Sequence, residues 1–189
     1  MAQKRKDWNG LISGFKASDL VFLDESGCNT DMTRRYADSL GGSRAVDSAP
    51  LSKPKNTTIL SSIQLDGTLR YTTFSGGTTV ERFKRYLETD LLPHLNGNSV
   101  LIMDNMKSHH AKAVRNLLDS SGVRYIYLPP YSPDLNPIEK LWSKVKSFLR
   151  KFKARTLDAL PNAIQCAFQT VSPSDCSGWF HSCGYSPYF

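Results

Sequence analysis

Residues 128–142 read LPPYSPDLNPIEKLW. The run that leads into them, Val123–Leu128 (VRYIYL), is β-branched and aromatic and is halted by Pro129 and Pro130, which predicts a short strand. Pro133 and Pro137 fix their own φ angles and push Ser132 and Asn136 toward extended backbone. Further on, Ile138, Leu141, Trp142, Val145, Phe148, Leu149 and Phe152 recur at helical spacing and mark a buried face. The stretch therefore predicts a strand, a stiff loop and an amphipathic helix whose first turn carries Glu139. Asn136 is placed to cap that helix, with Pro137 at the first helical position. Two roles are open to Glu139. It can complete a capping box by reaching back to the Asn136 N–H, or it can be a functional carboxylate held in place by the proline-braced approach. A cap alone does not need so rigid a loop.

The rest of the chain supplies the partners of this unit. Leu20–Leu23 (LVFL) and Val100–Met103 (VLIM) are short, fully apolar runs, as expected of central strands covered on both faces. Thr57–Leu65 and Leu69–Phe74 are β-rich and are joined by Asp66-Gly67, a hairpin signal. Thr79–Leu95 and Ala111–Leu118 have helical spacing, the second stopping near Gly122. A last helix is predicted from Thr156, closed by Ser172-Pro173. Cys28–Lys55 is long, Gly/Ser/Pro-containing and basic (Arg34, Arg35, Arg44, Lys53, Lys55), which suggests a loop or protruding hairpin. The expected order is β, loop, β, β, α, β, α, β, α, α, a mixed α/β domain over residues 20–189. Residues 1–19 are expected to be a flexible basic segment.

At 189 residues, with 40% hydrophobic and 11% aromatic content, the chain suits one domain with a sizeable core. It has no apolar run long enough to span a bilayer, and its charged start lacks the apolar core of a signal peptide; a cytoplasmic location is expected. Cys28, Cys166, Cys176 and Cys183 form no C-x-x-C pair. The Cys176, His181, Cys183 group lacks a fourth ligand for zinc, so free thiols are expected. The net charge is +7. Seven basic residues (Lys140, Lys144, Lys146, Arg150, Lys151, Lys153, Arg155) and no acidic one lie between Lys140 and Arg155. A stripe of one sign suits phosphates better than a solvated face of mixed charge does.

Asp24 follows the first apolar strand, Asp104 follows VLIM, and Glu139 opens the helix after the next strand. Strand ends are where open α/β sheets build their sites, although an aspartate there is also a common turn former. Three converging carboxylates repel and raise one another's pKa, a cost that bound magnesium removes. Two such ions support phosphoryl transfer.

LVFLDES, LIMDN followed by SHH, and LPPYSPDLNPIEKLW resemble the three signature blocks of mariner-superfamily transposases, in particular their bacterial insertion-sequence branch. Thirty-four residues separate Asp104 from Glu139, a spacing characteristic of that branch, and the third carboxylate is glutamate where mariner elements proper carry aspartate. The resemblance runs from about Leu20 to Tyr185. It implies an RNase H-like sheet of about five strands flanked by helices, and a triad of Asp24, Asp104 and Glu139 as catalytic residues and metal ligands. It further implies two Mg2+ ions (Mn2+ as substitute) and cleavage and strand transfer at TA sites. DNA is the expected partner, with a homodimer on DNA and a nucleoid-associated location. Asn105, His109 and Asn136 are expected to support the site. Lys146 and Arg150, on the helical stripe of Glu139, and Lys140, Lys144, Arg34 and Arg35 are candidate DNA contacts. Family members carry helix-turn-helix modules upstream of this domain. Some nineteen residues precede the first strand here, so such a module is expected as a separate or upstream unit. Two alternatives stay open: a nuclease that stops at hydrolysis, and a truncated, non-catalytic DNA-binding regulator.

Overall fold

The computed structural model describes residues 2–33, 38–46, 48 and 55–185. Five strands form one sheet in the order β3-β2-β1-β4-β5. They are β1 (Leu20–Cys28), β2 (Thr57–Gln64), β3 (Leu69–Ser75), β4 (Val100–Met103) and β5 (Arg124–Tyr127). β1 pairs antiparallel with β2, and β2 with β3, whereas β1–β4 and β4–β5 are parallel. The β2–β3 hairpin turns at Asp66-Gly67 as expected: Asp66 Oδ1 accepts from Thr68 N–H at 2.8 Å, and Gly67 takes φ 90°. A side chain at Gly67 is excluded twice, by that φ and by Pro173, whose Cα lies 3.0 Å from where a Cβ would stand.

Alternation along the central strands splits the core into two layers. Leu20, Phe22, Ile59, Ile63, Val100 and Ile102 face a layer made by α1 (Ala2–Ile12), α4 (Ile138–Phe152), α5 (Ala159–Gln169) and α6 (Pro173–Ser182). Val21, Leu23, Leu60, Leu101 and Met103 face α2 (Val80–Tyr86) and α3 (Lys112–Ser121). The mixed sheet between helices is the expected fold class.

Several expectations change in detail. The N-terminal stretch expected to be flexible is helical over Ala2–Ile12, and its Trp8 is buried, donating from Nε1 to Tyr185 Oη at 3.2 Å. The single helix expected over Thr79–Leu95 is α2 followed by a π-helical turn (Leu87–Leu91) and a 3-10 turn (Leu92–His94) that contains Pro93. Ser172-Pro173, expected only to end a helix, also starts one. Ser172 and Asp175 form a reciprocal capping box with Pro173 in the first turn, so α6 begins there. Residues 29–33, 38–46, 48 and 55 carry no helix or strand; the other residues between β1 and Lys55, Arg34, Arg35 and Lys53 included, lie outside the described residues.

Candidate active site

The first strand does not end at Asp24. β1 continues to Cys28, and Asp24 pairs with Ser61 of β2. On the other side, the last rung between β1 and β4 is Leu23 with Met103, so Asp24 and Asp104 stand side by side just past the point where β4 stops. The chain leaves β1 toward β2 and leaves β4 toward β5 on opposite sides of this point, which opens a crevice. Glu139 enters it from the first turn of α4. Asp24, Asp104 and Glu139 line one cleft of about 420 Å³ with Asn105, Asn136 and the 128–133 loop.

Each carboxylate is held differently. Asp24 is buried; its Oδ1 accepts from Glu25 N–H at 2.8 Å and its Oδ2 from Trp142 Nε1 at 3.2 Å. Burial pushes its carboxyl up to about 7, with the nearby Asp104 and Glu25 charges adding to the rise against those two hydrogen bonds. Asp104 is part-exposed, and its Oδ1 accepts from Met106 N–H at 2.9 Å and from His109 Nδ1 at 2.8 Å. Burial works against its charge, yet the hydrogen bonds from His109 and Met106 hold the carboxyl below the ordinary carboxylate range. Glu139 is exposed. The capping box left open to it by the sequence does not form: Asn136 N–H donates to Pro133 O at 3.1 Å, and no side chain caps α4. The 3-10 turn Pro133–Leu135 has used that donor, which leaves the Glu139 carboxylate to the cleft. Asn136, expected as the cap, is buried and lines the cleft with its Oδ1 unsatisfied among the described residues.

The two supporting residues of the second block are both engaged. Asn105 Nδ2 donates to Leu128 O, tying the end of β4 to the proline loop. His109 is fully buried, stacks on Phe83 with ring centroids 4.2 Å apart, and bridges two carboxylates through Asp104 Oδ1 and Glu25 Oε1, the latter at 3.1 Å. Burial disfavours its charge, but hydrogen bonds to Asp104 and Glu25 outweigh this and raise it to about 10. Glu25, Asp104 and His109 bring ligand atoms within 4.8 Å, the sole such grouping among the described residues. Both ring nitrogens already point at carboxylate oxygens, so this group is an ion-paired bridge beside the cleft. Sequence reading gave no role to Glu25, nor to Tyr131, which is 86% exposed at the rim with φ 57°. Its place in a proline-bounded turn is the signal that was available for it.

The basic candidates separate. Lys146 and Arg150 lie half-exposed on the stripe that starts at Glu139. Lys140 is exposed at the start of α4, and with Lys144 and Lys151 it lines a groove of about 620 Å³ against Asp175 and Trp179. Lys144 is ion-paired to Asp175 at 2.6 Å. Arg155, counted in the one-sign stripe, instead donates to Thr30 O and Met32 O at 3.3 and 3.2 Å and ties down the residues after β1. All four cysteines are free, and burial pushes Cys28 and Cys176 up to about 11. No helix is long and apolar enough to cross a membrane.

Carboxylates from β1, the end of β4 and the start of α4 in one cleft coincide with a family match. Residues 19–161 fit the family described as DDE superfamily endonuclease. The chain belongs to this family. The transposase of the transposable element Tc1 from Caenorhabditis elegans is 29% identical over 97 residues, 49% of this chain and 36% of that protein. Among solved structures, the pre-cleavage Mos1 transpososome aligns with a TM-score of 0.82 at 19% identity, covering 96% of this chain and 58% of the Mos1 chain. The catalytic domain of Mos1 mariner transposase aligns with a TM-score of 0.72 at 17% identity, covering 95% of this chain and 85% of that domain. The sheet between two helical layers is thus the RNase H-like fold of that domain. The DDE endonuclease spans roughly a third of the Tc1 protein and under three-fifths of the Mos1 chain.

Proposed function

We propose that this DDE endonuclease is the catalytic domain of a mariner-superfamily transposase, of the bacterial insertion-sequence branch, that cleaves DNA at transposon ends and joins the freed ends to target DNA at TA sites. The observation that carries the reading is the convergence of Asp24, Asp104 and Glu139 on one cleft in a chain of this family. The domain is assigned to residues 20–189, with α1 as an N-terminal extension.

The donor set fits divalent cations. Asp24 is pushed up to about 7 with no positive side chain bonded to it among the described residues, and a cation beside it relieves that burden. Asp24, Asp104 and Glu139 would hold two Mg2+ or Mn2+ ions. When bound, such ions supply Lewis acidity toward a phosphate and lower the pKa of a water or hydroxyl. Relatives of known structure include Mos1 paired-end complexes with Mn and with Mg. The chain's own residues do the positioning. Trp142 Nε1 and the Glu25 N–H orient Asp24 on the cleft floor. Met106 and His109 fix one oxygen of Asp104, leaving the other for the cleft. Glu139, free of a capping duty, closes the set from α4.

Lys146 and Arg150 are assigned to phosphates that approach along α4, with Lys140 beside them, and Lys144 once its pairing to Asp175 is exchanged. Arg34 and Arg35 are assigned to DNA or to a second copy in a homodimer. Recognition of transposon ends is assigned to a helix-turn-helix module outside these 189 residues, and the location to the bacterial nucleoid.

The test is cleavage and strand transfer with Mg2+ or Mn2+, using duplexes and pre-cleaved ends. Asp24→Asn, Asp104→Asn and Glu139→Gln are each expected to abolish both activities while the protein stays folded. Cleavage without joining would leave the hydrolytic nuclease, and near-normal cleavage by Glu139→Gln would remove that residue from the triad.

A further inference from the structure

Asp24 and Glu25 are neighbours on β1, so alternation sends them to opposite faces of the sheet. Asp24 faces α4, where Trp142 meets it. Glu25 lies on the face that carries Val21 and Leu23, under α2 and α3, and there it meets His109. We infer that Glu25 is a positioning residue for the proposed metal site: through His109 it fixes the orientation of Asp104. The inference rests on the carboxylate-site reading above.

Three observations carry it. The first is the bridge itself. Nε2 of His109 is 3.1 Å from Glu25 Oε1, and Nδ1 is 2.8 Å from Asp104 Oδ1. Carboxylates only accept, whereas a neutral imidazole donates from one nitrogen. One ring nitrogen thus faces Glu25 and the other faces Asp104, so the imidazole is clamped between the two side chains.

The second is rigidity. The ring is fully buried and stacks on Phe83, His109 N–H donates to Met106 O at 3.0 Å, and His109 O accepts from Tyr127 Oη at 3.0 Å. The ring has no freedom to follow a drifting Asp104. The Asp104 carboxylate is gripped at Oδ1, which leaves Oδ2 for the cleft.

The third is cost. The Glu25 side chain is 6% exposed, and its Oε2 is buried without a hydrogen bond among the described residues. A purely structural link would be served as well by a neutral acceptor or by apolar packing, because a buried ion pair is a poor source of stability. Here the buried carboxylate serves the geometry instead: it holds the far edge of the ring whose near edge meets Asp104.

Outer partners of this kind change metal affinity by about 10- to 100-fold when removed. The test is calorimetric titration of Mn2+ into the DNA-free chain at pH 7.5, with thermal melting as the control for folding. Glu25→Gln keeps the shape and an acceptor but removes the charge; it is expected to weaken Mn2+ by about tenfold or more without lowering the melting temperature comparably. His109→Gln is expected to do the same. The Glu25→Gln/His109→Gln double variant should lose no more than His109→Gln alone, because Glu25 acts only through the ring. Losses that add would overturn the inference, as would Mn2+ affinity unchanged in Glu25→Gln. If a Gln variant fails to fold, Glu25→Asp, one methylene too short to reach the ring, replaces it with the same two outcomes. Asp104→Asn separates the two levels. Abolished Mn2+ binding there with an unaffected Glu25→Gln removes only the positioning role, and retained binding in Asp104→Asn removes the carboxylate-site reading itself.

Discussion

Asp24 is under two opposed demands. It must be an anion to hold a cation, yet burial pushes its carboxyl from 3.8 up to about 7. Without metal, the folded chain binds that proton more tightly than the unfolded chain does. The associated stability is therefore complete below about pH 4 and is lost as the pH rises through about 7. Asp24→Asn removes the titration and keeps an acceptor for Trp142 Nε1. In metal-free buffer at pH 8 the variant should be more stable than the parent by about 1–4 kcal/mol, since each pKa unit is worth about 1.4 kcal/mol. That gain should shrink to nothing near pH 4. His109 titrates in both proteins: raised from 6.5 to about 10, it contributes stability below about 6.5 that is lost through 10, and it cancels when the two are compared at one pH. Urea unfolding of both proteins across pH 4–8 is the measurement, and a difference independent of pH would contradict the account.

Helix α4 links the core to the DNA-binding proposal. Its buried residues Ile138, Leu141, Trp142, Val145 and Leu149 are those its apolar spacing marks. Phe152, marked with them, is 44% exposed, because Lys153 turns into a left-handed conformation and ends the helix just after it. Lys146 and Arg150 lie off that apolar face, so replacing both by alanine should leave stability nearly unchanged. It should weaken binding to all DNA sequences alike and flatten the log–log salt dependence by about one unit per lost phosphate contact. Lys144→Ala should change the slope less, since its ammonium is already neutralised by Asp175. Binding isotherms at several salt concentrations decide this, and an unchanged slope in the double variant would place DNA on another surface. Elements of this kind were legible because period and burial coincide. α6 was not, since Cys176 and Phe180 are its only buried residues and a Ser-Pro pair reads equally as a stop or a start. The Glu25–His109 contact spans 84 residues and leaves no local pattern. Asp24 and Asp104 each follow an apolar run that marks a strand, whereas the continuation of β1 beyond Asp24 has no such mark, because it depends on pairing with β2 rather than on β1's own composition.

At the scale of the whole molecule, cation binding and folding share one linkage. β1, β4 and α4 come from distant parts of the chain, so their carboxylates converge only in the folded state. Mn2+ should therefore stabilise the fold by about 2.7 kcal/mol at a concentration of 100 Kd. For a chain of this size, that corresponds to a rise in melting temperature of roughly 5–11 °C. The effect must depend on pH with a definite sign. At pH 8 the Asp24 carboxyl, pushed up to about 7, is mostly ionised and ready to accept a cation. At pH 5.5 the folded, metal-free protein holds a proton there, and binding must displace it, which lowers the apparent affinity by about thirtyfold from the difference between pH and pKa. The same Mn2+ concentration should then raise the melting temperature by only about 2–3 °C. Asp24→Asn should lose the pH dependence along with most of the stabilisation. Melting curves at both pH values, with and without Mn2+, test the linkage; equal shifts at pH 5.5 and 8 in the parent would show that the cation binds elsewhere than beside Asp24.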